Sequence, residues 1–120
     1  MIALNKNEKN TVCDLMKEMG SETQNNDCDT LFKLTAFWLD RDTNDITDGL
    51  DMHKFLQLME KRDPQKQLCQ DLVMVSRCSV MLRSLALGLG LRVRTTDYWR
   101  PYAEAFLEKF DGSCNCEICR

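Results

Sequence analysis

Apolar residues recur at three- and four-residue intervals in five stretches of the 120-residue chain, the spacing that lines up one face of a helix. In the first, about 8–19, Val12, Leu15, Met16 and Met19 share a face and Gly20 supplies the stop. The polar run SETQNND, residues 21–27, reads as a loop. Asp27 or Asp29 can then cap a second helix through about Leu39, whose Leu31, Leu34, Ala36, Phe37 and Trp38 are bulky core material. An acidic stretch leads into a third helix over about 51–62, with Met52, Phe55, Leu56 and Met59 on one face.

Asp63-Pro64 marks the next boundary, because proline fixes its own backbone angle and disfavours helix in the residue before it. The spacing then predicts a long helix over about 65–91. Leu68, Leu72, Val75, Ser79, Leu82, Ala86 and Leu89 follow one four-three seam, with Met74, Met81 and Leu85 on a second stripe and Val73, Val80 and Leu87 on a third. A helix apolar on so much of its circumference is normally surrounded by others. A last helix runs from about Tyr98 or Pro101 to Phe110, Pro101 suiting its first turn, with Tyr102, Phe106, Leu107 and Phe110 facing inward and Gly112 as its stop. The expected architecture is an all-α, single-domain bundle of about five helices around a central apolar helix at 65–91. Its domain would span 1–112, followed by a cysteine-rich tail at 113–120. A buried central helix ringed by amphipathic helices resembles the arrangement of Bcl-2-type domains, including virus-encoded ones, although the N-W-G-R motif of that family is absent here.

Composition agrees with a folded helical chain: 43% hydrophobic and 29% charged residues, with only two prolines and five glycines. The net charge of −3 argues against a general nucleic-acid binder. Charge is uneven, with six Lys/Arg against twelve Asp/Glu in residues 1–60 and ten against seven in residues 61–120. The start MIALNKNEKNTVC does not read as a signal peptide. The most apolar run, Ser79 to Leu91, is too short and, with Arg83, too polar to cross a bilayer. Seven cysteines without a secretion signal then predict reduced thiols and a cytoplasmic or nuclear location.

The acidic stretch LDRDTNDITDGLDMHKFL, residues 39–56, looks like a calcium-binding EF-hand loop running into its exit helix. Started at Asp40, the ligand positions 1, 3, 5, 9 and 12 fall on Asp40, Asp42, Asn44, Asp48 and Asp51. The turn position then holds Asp45 instead of glycine. In the register that places Asp48-Gly49 at the turn, Lys54 stands where the closing carboxylate belongs. No register satisfies both demands, so the stretch reads as an acidic connection that caps the third helix.

A better metal candidate is the end of the chain, DGSCNCEICR. Cys114, Cys116 and Cys119 can wrap a tetrahedral zinc, and would equally accept copper(I); the competing readings are a frayed, reduced tail and redox or intermolecular disulfide chemistry. The fourth ligand would be His53 or one of Cys13, Cys28, Cys69 and Cys78. Cys69 and Cys78 are nine residues apart, which puts them on opposite faces of one helix. In RVRTTDYWRPY, Arg92, Arg94 and Arg100 interleave with Tyr98, Trp99 and Tyr102, the ingredients of a single-strand stacking surface. The competing reading has the aromatics plug the bundle end while the arginines stay solvated.

One histidine, no G-x-S-x-G, no glycine-rich phosphate loop and no H-E-x-x-H leave no catalytic set. The sequence therefore points to a small non-catalytic intracellular regulatory or adaptor protein that binds other proteins, a virus-encoded host modulator being one form. Alternatives are a zinc protein with nucleic-acid contacts through residues 92–102, and a degenerate EF-hand-like calcium binder. A protein partner and no membrane are expected, and self-association into a homo-oligomer stays open. The binding reading predicts a groove or patch of exposed apolar side chains between two helices.

Overall fold

The computed structural model describes residues 2–110 and bears out the all-α, single-domain expectation. In chain order the elements are α1 (Ile2–Asn5), α2 (Lys9–Glu18), β1 (Glu22–Thr23), α3 (Cys28–Leu39), α4 (Asn44–Thr47), α5 (Met52–Arg62), β2 (Gln65–Gln67), α6 (Asp71–Gly88) and α7 (Thr95–Phe110). The caps follow the side-chain chemistry. Asp27 accepts a hydrogen bond from the Asp29 backbone N–H at the start of α3, and Asp51 accepts one from Lys54 at 2.8 Å at the start of α5. Asp48 and Gly49, both at positive φ, turn the chain between α4 and α5.

The helix at the centre is α3. Its Leu31, Phe32, Ala36, Phe37 and Leu39 are buried against Val12, Cys13 and Met16 of α2, Ile46 of α4, and Phe55 and Met59 of α5. Phe37 and Phe55 stack at 5.0 Å between ring centroids. A two-stranded antiparallel ribbon pairs Glu22 with Gln67, and Asp63 beside it accepts the backbone N–H groups of Asn25 and Asp27 at 2.6 and 2.8 Å. These bonds tie the loop after α2 to the loop after α5, so Pro64 ends one helix without freeing the chain.

The predicted central role of residues 65–91 is corrected. That stretch begins with β2, and α6 starts at Asp71. Along α6 only Ser79 and Arg83 are buried, while Val75, Leu82 and Leu89 of the expected core seam are exposed. Specific polar bonds choose the inward face. The Arg83 guanidinium donates to the carbonyl oxygens of Ser79, Phe37 and Trp38, and the Ser79 hydroxyl lies 3.0 Å from that of Thr95. A cation over the last carbonyls of α3 satisfies acceptors that the helix itself leaves open. The last helix begins earlier than predicted, at Thr95, so Pro101 lies inside it, and Tyr102, Phe106 and Leu107 are exposed instead of inward. The Bcl-2-type arrangement of a buried central helix at these residues is therefore not the one the chain adopts.

Candidate functional site

With Ser79 and Arg83 turned inward, α6 carries its apolar side chains on the opposite face. At 100° per residue, Met74, Val75, Cys78, Met81, Leu82, Leu85 and Leu89 fall within about a third of the helix circumference. All are exposed, Leu85 by 66% and Leu89 by 79%. No charged residue interrupts this stripe between Val75 and Leu89, since Arg77 projects to its flank and Arg83 into the body. On α7, Tyr98 and Tyr102 lie one turn apart with Trp99 beside them, and Tyr102 is 76% exposed. An ordinary monomer shows single apolar residues to water, whereas here they run over neighbouring turns.

What fixes α7 is a buried carboxylate. Asp40, the residue that ends α3, is 0% exposed. Its Oδ1 accepts the Thr96 hydroxyl at 2.6 Å, and its Oδ2 accepts Arg41 Nη1 at 2.6 Å and Arg94 Nη2 at 2.8 Å. Burial alone would raise the Asp40 pKa, but the bonds from Arg94, Thr96 and Arg41 outweigh it and hold the carboxyl below its usual value. The same bond from Asp40 raises the Arg94 pKa. Arg41 also reaches Asn7 at 2.7 Å and Asp45 at 2.9 Å, and Arg94 donates to the Leu4 carbonyl at 3.4 Å, so one cluster joins α1, α3, α4 and α7.

This cluster accounts for the acidic stretch. Asp40 is enclosed by its own cations and hydroxyl donor, Asp48 pairs with Lys33 at 3.0 Å, and Asp51 caps α5. Asn44 opens α4 and Asp42 lines a cavity of about 220 Å³ beside Arg83 and Arg92. Among the described residues no three Asp, Glu, His or Cys side chains converge as a metal site would need. The hydrogen bonds within the loop, which no spacing rule reveals, direct these oxygens to cations and backbone instead of to a common centre.

The cysteines divide. Cys13 of α2 and Cys28 of α3 form a disulfide with Cα atoms 5.8 Å apart. This corrects the expectation of reduced thiols throughout and removes both residues as zinc ligands. Cys69 is buried and free, and Cys78 is free and exposed within the α6 stripe. His53 lies on the exposed side of α5, its Nε2 3.0 Å from Gln57 Nε2. The cysteines at 114, 116 and 119 and the proposed boundary between 112 and 113 lie outside the described residues.

The basic and aromatic segment is also divided. Arg94 is committed to Asp40, and Arg100 donates to Glu104 at 2.7 Å and to Asn5 at 3.0 Å. Arg92 and Trp99 are exposed. Two of its three arginines thus hold the helix in place, while the aromatics face outward instead of plugging the bundle.

The chain matches no protein-family model, no curated protein and no solved structure. No helix among the described residues is long and apolar enough to cross a membrane.

Proposed function

We propose that this chain is a non-catalytic regulatory or adaptor protein that binds other protein chains through its outward apolar faces on α6 and α7. One observation carries this reading: α6 buries Ser79 and Arg83 and presents Met74, Met81, Leu82, Leu85 and Leu87 to water. Exposing that many large apolar side chains forgoes roughly 1.5–3 kcal/mol for each one that could have been fully buried. A fold that settles in this way has a use for the surface elsewhere. The aromatics of α7 suit such contacts, since Tyr and Trp supply large area at low entropic cost.

The occupant is argued from chemistry. The α6 stripe is uncharged and its spacing is that of a helix seam, which favours an apolar helical face over a nucleic acid or an anionic membrane surface. The test begins with proteins recovered on the wild-type chain and repeats the binding with each purified candidate. Affinity should fall at least about 30-fold for Leu85→Glu or Tyr102→Glu, with unchanged circular dichroism. Candidates that bind both variants as tightly as wild type would remove the proposal. So would flotation of the chain with phospholipid vesicles that these substitutions abolish, because the faces would then serve a membrane.

A further inference from the structure

We infer that the α6 stripe is covered by the α6 stripe of a second copy of this chain, leaving the aromatic face of α7 for the other protein. This rests on the proposed function in treating the apolar faces as interaction surfaces, and it assigns one of the two.

The spacing argues for a helix as the occupant. Val75, Cys78, Leu82, Leu85 and Leu89 follow one another at intervals of three, four, three and four residues. Side chains so spaced interlock with a partner helix of the same repeat. The stripe is also the convex side of a helix, and none of the three cavities described in the body is lined by these five residues. A convex helix face offers no pocket to a small molecule, but its ridges pack into the grooves of another helix.

Charge and area argue for a second copy. An isologous contact sets the same patch against itself, so a stripe carrying like charges would oppose it. Between Val75 and Leu89 the exposed stripe contains none. With Met74 and Met81 included, the exposed fractions correspond to an area on the order of 700 Å² per chain, close to the ~800 Å² each partner contributes to a standard interface. The two-fold pairing uses the same patch twice, so full burial of both stripes approaches that size with no further segment.

The residue midway along the stripe is Leu82. A two-fold axis placed there buries the most of both stripes, and it sets position 82 opposite its own copy whether the helices run parallel or antiparallel.

The experiment is sedimentation equilibrium on the full chain, with position 82 used as a reporter. Wild type should be a dimer at micromolar concentration, and Leu82→Glu should weaken it by at least about 100-fold, because a buried unpaired charge would lie at the axis. Leu82 is exposed in the single chain, so the variant should keep its circular dichroism. In a background with Cys78→Ser, Cys114→Ser, Cys116→Ser and Cys119→Ser, Leu82→Cys should form an intermolecular disulfide on mild oxidation. Ser84→Cys, exposed but off the stripe, should not. A wild-type monomer at every concentration, or a dimer indifferent to Leu82→Glu, overturns the inference. If such a monomer still binds a partner that Leu85→Glu or Tyr102→Glu weakens, the proposed function stands while the inference fails.

Discussion

The carboxylate of Asp40 and the guanidinium of Arg94 meet at 2.8 Å across 54 positions of sequence. The pair is the point at which the start of α7 is fastened to the end of the central helix α3. Thr95 adds a backbone hydrogen bond to the Asp40 carbonyl at 3.2 Å. The outward aromatic face of α7 thus belongs to a helix whose start is held by a buried polar joint.

Replacing Asp40 should therefore cost far more than replacing any other acidic residue of the 40–51 stretch. Asp40→Ala strands Arg41 and Arg94 beside a buried cavity, and breaking such a pair costs about 3–5 kcal/mol. Asp42→Ala, at an exposed position, should stay within about 0.5 kcal/mol of wild type. Urea unfolding of the two variants measures the contrast, and equal losses would show that Asp40 does not hold the fold.

The same carboxyl sets an acid limit. Its folded pKa lies below the ordinary value of 3.8, so the unfolded chain takes up the proton first as pH falls. Its contribution is complete above the unfolded pKa of about 3.9 and is lost as pH drops through the folded value. Stability should fall below about pH 4 in wild type, and Asp40→Asn should be weaker at pH 7 yet lose less on acidification. Parallel pH profiles for the two proteins would count against this assignment.

The link between α2 and α3 should be worth a comparable amount. Cys13 and Cys28 close a loop with a sequence separation of 15, for which chain entropy gives about 3 kcal/mol. Unfolding with and without a thiol reductant should differ by about that, and Cys13→Ser should remove the difference. Alkylation of the native unreduced protein followed by mass mapping should leave Cys13 and Cys28 unlabelled. Labelling of both without reductant would refute the bond.

Much of this architecture is legible in the sequence, because caps and breakers act locally. Asp27 and Asp51 announce their helices, Gly20 and Pro64 end theirs, and Phe55 and Met59 face the core as their spacing requires. The short α1 and α4, of four residues each, are below the length at which periodicity can speak. The orientation of α6 is invisible for a different reason. When apolar residues occupy most of a helix, periodicity cannot say which side turns in, and here Ser79 and Arg83 decide it through partners 16 and 46 positions away. The pairings of Asp40 with Arg94 and of Cys13 with Cys28 carry no local motif either. The EF-hand-like spacing drew attention to Asp40 for its oxygen, and the fold uses that oxygen for arginine.

Arg83 is the residue on which the inverted helix turns, and its replacement gives the last test. It is 7% exposed, and burial lowers its pKa against the opposing pull of Asp42 and Asp40. The protein keeps this cation inside because its donors close the C-terminal carbonyls of α3. Arg83→Met retains the stem and removes the donors, leaving the Phe37 carbonyl without its charged partner, at a cost of about 2–3 kcal/mol. Arg83→Lys should recover only part of the loss, since a single ammonium cannot span the acceptors that a planar guanidinium reaches. Leu85→Glu on the opposite face should change monomer stability by no more than about 0.5 kcal/mol, because that side chain already lies in water. Denaturant midpoints measured at a concentration that keeps the chains apart would separate the two faces. A large loss for Leu85→Glu with none for Arg83→Met would mean that α6 packs the other way round.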